Sequence, residues 1–162
     1  MSVAIEFAIE SPGWSASSGA EAVIRRAIDA AVADIGPVEA EVGVVLADDA
    51  RIRALNRTWL GNDAATNVLS FPAPREPSGG VHFLGDIVFA LETIRREAEA
   101  EEKTFEQHLA HLAVHGVLHL LGFDHERDED AETMEARERR ILTGLGIADP
   151  YAPAREHRTE RA

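Results

Sequence analysis

The sequence predicts an α+β fold, with helices collected on a small sheet. Three observations carry this. Apolar periods of two and of about 3.6 residues alternate through the first half of the chain. The second half reads as successive helices with no strand between them. The length, 162 residues, favours one domain, and neither an internal repeat nor a second domain boundary is visible.

The elements follow in order. VAIEFAI (3–9) alternates weakly and reads as a strand. SPGWSASSG (11–19) is a turn-rich connection. EAVIRRAIDAAVADIG (21–36) has helical spacing and stops at Gly36-Pro37. VEAEVGVVLA (38–47) is a second strand. DDARIRALNRTWLG (48–61) opens on a capping Asp and puts Ile52, Leu55 and Trp59 on one helical face. ATNVLSFPAP (65–74) is a short strand closed by prolines, EPSGG (76–80) a loop, and LGDIVFA (84–90) a strand. Helices are predicted over 91–103, 104–122 and 125–146. The second is largely apolar and should be buried. The third should turn Met134, Ile141, Leu142 and Leu145 inward. Residues 1–148 form the expected domain, and 149–162 lack periodicity and read as a flexible tail that leaves His157 solvated.

Composition narrows the chemistry. With 45% apolar and 28% charged residues the chain can bury a core. No apolar run approaches a membrane span, and MSVAIEFAIE has no basic n-region of a signal peptide. The chain has no cysteine, which excludes disulfides and thiolate metal sites. Both features fit a cytoplasmic protein. The net charge of −13 argues against a broadly basic nucleic-acid surface. A local cationic patch is still open to the chain. Of its 16 basic residues all but Lys103 are Arg, a side chain suited to bidentate phosphate contacts or simply a compositional habit.

The segment HGVLHLLGFDH (115–125) holds three of the seven histidines. Residues four apart on a helix sit about 40° apart around the axis and about 6 Å apart along it. His115 and His119 therefore project to one side, within reach of one ion. Gly122 can take the left-handed conformation that ends a helix, and that turn can return His125 as a third ligand. Three protein ligands leave a fourth position on a zinc ion, as in catalytic sites. His111 extends the i, i+4 series upstream. Three ligands spread over about 12 Å of helix cannot converge on one ion, so His111 is expected to support the site or the core. His82, beside Gly-Gly, is expected on the surface.

The same spacing occurs in the metzincin motif H-E-x-x-H-x-x-G-x-x-H, where the Glu is the general base. Here that position is Gly116, which transfers no proton, so peptidase chemistry by that route is disfavoured. A metal-bound water with its pKa lowered toward about 7 remains as a nucleophile for a phosphodiester. With RNA, the substrate's own 2′-OH is an alternative nucleophile. Asp124 either orients a ligating imidazole, accepts a proton, or caps the following helix.

HGVLHLLGFDH resembles the signature of the YbeY family, bacterial endoribonucleases of rRNA maturation. LNRTWLGNDAATNVLSFP (55–72), LGDI (84–87), His108 and His111, ETMEARERRIL and the closing DPY are similar to that family as well. The resemblance implies a single zincin-like domain, with a small mixed four-stranded sheet and about five helices. It implies one Zn2+ per chain held by His115, His119 and His125. It further implies single-strand endoribonuclease activity in 16S rRNA 3′-end maturation and ribosome quality control. The partners implied are rRNA, the small ribosomal subunit and other RNA-processing nucleases.

One departure stands out. The family resembled usually carries an Arg six residues before Thr66, which the resemblance implies faces the cleft and serves RNA handling; here it is Leu60. The usual Lys-Pro before the Thr is Ala64-Ala65. Arg57 and Arg53, one and two turns earlier, are the expected substitutes for nucleic-acid binding unless they are merely solvated. The acidic run after His125 should repel RNA and steer it to the Arg51/Arg53/Arg57 side. Two other functions compete: a ribosome assembly factor whose metal is mainly structural, and a metal-dependent peptidase.

Overall fold

The computed structural model describes residues 3–16, 19–35, 39–74, 82–123 and 127–151. Four strands form one mixed sheet: β1 (Val3–Ile9), β2 (Ala40–Ala47), β3 (Val68–Pro72) and β4 (His82–Ala90). The order is β1-β2-β4-β3, with β1, β2 and β4 parallel and β3 antiparallel on the β4 edge. Five α-helices accompany it: α1 (Ala20–Ile35), α2 (Asp49–Leu60), α3 (Leu91–Ala100), α4 (Phe105–Leu120) and α5 (Asp128–Gly144). The α+β expectation is met.

The two faces of the sheet are filled differently. Val42, Val44, Leu46, Ile87 and Phe89 point to one side and join α1, α4 and α5 in the main core. Ile24, Ile28 and Val32 of α1 are fully buried there; each such side chain contributes about 1.5–3 kcal/mol. On the other side Val88 and Ala90 meet Ile52 of α2 in a smaller cluster. Parallel strands buried on both faces read as near-continuous apolar runs, as β2 and the end of β4 do.

Several elements differ from the sequence expectation. SPGWSASSG contains a 3-10 turn (Pro12–Ala16) that inserts Trp14 into the core, its Nε1 donating to the Ala47 carbonyl at 2.8 Å. That long-range bond leaves no periodic trace. His82 is the first residue of β4 and half-buried, not in a surface loop. Trp59 is 69% exposed although Ile52, on the same helical face, is fully buried. Helical spacing reports a face, not how far the surface beneath it extends.

No helix among the described residues is long and apolar enough to cross a membrane.

Candidate metal centre

α4 is bounded by local chemistry at both ends. At its start the Thr104 hydroxyl accepts from the Gln107 backbone N–H at 3.0 Å, and the Gln107 side chain accepts from the Thr104 N–H at 3.1 Å. This reciprocal capping box satisfies two N–H groups that the helix cannot. At its end Gly122 has φ +103°, with Phe123 N–H bonded to Leu118 O and Gly122 N–H to His119 O. That Schellman pattern is the stop predicted from Gly122.

Between these ends the rings of His108, His111, His115 and His119 follow one another along α4. The last two converge. Their Nε2 atoms stand 3.1 Å apart, with ring centroids at 4.6 Å and planes at 80°. Two nitrogens bound to one tetrahedral zinc at about 2.0–2.1 Å would stand about 3.3 Å apart. The donor pair fits such an ion. His125 and Asp124 lie outside the described residues.

Sequence reasoning missed the residue that holds His115. Glu138 of α5 is 0% exposed, and its Oε1 lies 2.5 Å from His115 Nδ1. A carboxylate accepts a hydrogen bond from the ring N–H on the side away from a metal, which fixes the tautomer and raises ligand basicity. Oε2 lies 3.1 Å from His111 Nε2 and also accepts the Tyr151 hydroxyl. Burial alone would raise the Glu138 pKa, but hydrogen bonds from His111, His115 and Tyr151 outweigh it and hold the group at about 2. Burial and the carboxylate beside it push the Tyr151 hydroxyl up, so it stays a donor. Tyr151 stands in the segment expected to be a tail. It packs edge-on against His111 at 5.6 Å, and Arg139 lies over its ring. Residues 152–162, with His157, lie outside the described residues. A usable signal for Glu138 did exist. It falls in register with Met134, Ile141 and Leu142, so a carboxylate sits on the apolar stripe of α5.

A cleft of about 760 Å³ opens over these groups. His111, His115, His119 and Tyr151 line it, with Thr66 to Ser70 of the β3 side opposite and Leu60 at one side. The described lining residues include no Arg or Lys. Arg53 and Arg57 belong to α2 but are not among them. Arg53 instead makes a two-pronged pair with Asp63, at 2.8 and 3.2 Å. Its guanidinium, through that hydrogen bond, holds the Asp63 carboxyl below its usual range. Leu60 is 60% exposed.

Gly116, in place of the metzincin base, is buried against the sheet. A Cβ there would stand 2.9 Å from Ile87 Cγ2 and 3.3 Å from Ser70 Oγ. The position is spent on close packing and offers no room for a carboxylate.

A second group could hold a metal ion. Glu97, Glu101 and His108 place possible ligand atoms within 4.8 Å of one another. Its members already have partners. Glu97 Oε1 accepts from Asn67 at 2.9 Å and faces His108 Nε2 at 2.8 Å, while Lys103 pairs with Glu101 at 2.8 Å.

The profile of the family "Endoribonuclease YbeY" matches residues 9–146. The chain belongs to that family. Relatives bearing the YbeY name agree over nearly the whole chain. The one from Rhodopseudomonas palustris (strain HaA2) is 54% identical, covering 92% of this chain and 82% of the relative. The one from Azorhizobium caulinodans is 55% identical, covering 91% and 96%. Among solved structures, TM1509 from Thermotoga maritima superposes with a TM-score of 0.54 at 26% identity, covering 92% of this chain and 99% of that one.

Proposed function

We propose that this YbeY-family chain is a metal-dependent endoribonuclease that cuts single-stranded RNA during small-subunit rRNA 3′-end maturation. Zinc is the proposed ion, one per chain, held by His115, His119 and His125. The observation that carries the reading is the His115–His119 pair, Nε2 to Nε2 at 3.1 Å in an open cleft, backed by a buried carboxylate. When bound, the ion supplies Lewis-acid activation of a phosphodiester and of its attacking nucleophile. The chain's own residues do the rest. Glu138 holds the His115 imidazole in place, and Tyr151 in turn holds Glu138. The β3 segment and Leu60 wall the cleft in which RNA lies. A cytoplasmic role in ribosome quality control, with rRNA, small subunits and other nucleases as partners, belongs to the same proposal.

One observation favours a second reading. Leu60 stands at the cleft where the family usually has Arg, and no described cation replaces it there. Losing that donor removes a bidentate phosphate contact. A ribosome-associated assembly factor with a mainly structural metal would tolerate this.

The deciding experiment is cleavage of a labelled precursor rRNA 3′ fragment by zinc-loaded protein at low salt, with and without small subunits, beside His119→Ala. Cleavage abolished in His119→Ala supports the ribonuclease. Zinc-loaded protein that cuts neither sample but sediments with small subunits supports the assembly factor.

A further inference from the structure

The i, i+4 spacing that joins His115 to His119 also joins His111 to His115, so spacing alone does not say which pair grips an ion. The rings differ. His115 and His119 stand 4.6 Å apart by centroid, His111 and His115 6.3 Å. Between the two upstream histidines lies one carboxylate, Glu138, and its two oxygens take opposite ring nitrogens. Oε1 meets Nδ1 of His115, and Oε2 meets Nε2 of His111.

An ionised carboxylate only accepts, and a neutral imidazole carries one N–H. We propose that Glu138 is a positioning residue that assigns the ligand set by locking His115 as the Nδ1–H tautomer and His111 as the Nε2–H tautomer. This rests on the reading of His115 and His119 as metal ligands. The lock turns the His115 Nε2 lone pair toward His119. It commits the corresponding atom of His111 to the carboxylate, and the other nitrogen of His111, Nδ1, is buried with no partner. Glu138 has no solvent alternative, being wholly buried. A buried carboxylate keeps its donors because losing one leaves charge uncompensated. Tyr151 donates to Oε2 as well, so three groups hold the carboxylate. One side chain on α5 thus distinguishes two neighbouring histidines that are equivalent by spacing.

The test reads tautomers and metal affinity, not RNA cleavage. Imidazole 15N shifts of the metal-free full chain, recorded well above the ordinary histidine pKa of about 6.5, should show His115 protonated at Nδ1 and His111 at Nε2. Chelator competition should then show zinc binding about 10–100-fold weaker in Glu138→Gln, the usual cost of removing such a partner. His111→Gln, whose amide mimics the Nε2–H donor, should keep the wild-type affinity. The reverse tautomer at either histidine overturns the proposal. So does folded Glu138→Gln with wild-type affinity, or His111→Gln as weak as Glu138→Gln. If Glu138→Gln fails to fold, the wild-type tautomers and His111→Gln still decide. A wild-type chain that takes up no zinc overturns the ligand reading and the proposal together. Absence of ribonuclease activity alone touches neither.

Discussion

The Ser70 hydroxyl donates to the Gly116 carbonyl at 3.0 Å, tying the edge strand to the helix that carries His115 and His119. The bond forms because α4 lies close over β4. Gly116 permits that approach, since any side chain there meets Ile87 and Ser70.

Gly116→Glu should therefore destabilise the fold rather than create a peptidase. Overpacking and an unpaired buried carboxylate together cost about 3 kcal/mol or more. A urea unfolding midpoint well below wild type, with casein hydrolysis at background, is the expected result. A variant as stable as wild type would mean that Gly116 does not set the helix–sheet spacing.

Leu60→Arg should raise affinity for single-stranded RNA and steepen its salt dependence. One added phosphate contact contributes a slope of about −0.7 in log K against log salt. Filter binding across a salt series checks this. An unchanged affinity and slope would rule out a phosphate contact from this position.

Zinc should stabilise the chain through its ligands. At roughly 100 times Kd the ion adds about 2.7 kcal/mol, a rise of about 5–10 °C in Tm for a domain of this size. Differential scanning calorimetry should show the rise in wild type and not in His119→Ala. An equal rise in both would place the ion elsewhere, with the Glu97/Glu101/His108 group as the first alternative.

Asp34 on α1 is held by Arg140 and Arg137 of α5, at 2.8 Å from each. The Arg140 hydrogen bond leads in lowering its pKa below the ordinary 3.8. A lowered folded value means stability that is present above the ordinary pKa and fades as pH falls through the folded one. Asp34→Asn should cost about 1 kcal/mol at neutral pH. The gap should close in acid below both values. A gap that persists there would assign the loss to packing, not charge.

Much of this fold can be read from periodicity because its strands and helices have different periods. The His115/His119 pair and the Gly122 stop are equally plain, since both depend on contacts within one helical turn. Trp14, Glu138 and Tyr151 are a different matter. Each acts through a partner on another element, and no local rule links Glu138 to His115 across 23 positions. The acidic run of α5 hides Glu138 among solvated neighbours until its register with Met134 and Leu142 is noticed. Trp59 errs the other way, sharing a face with Ile52 but not its burial.

α4 is sixteen residues of unbroken helix, and His119 lies in its last turn. The peptide dipoles of such a helix sum to roughly half a negative charge at that end. The imidazole pair thus stands where the backbone itself draws positive charge. Before any side chain closes around it, a cation arriving in the cleft meets a favourable field set by the direction of the chain.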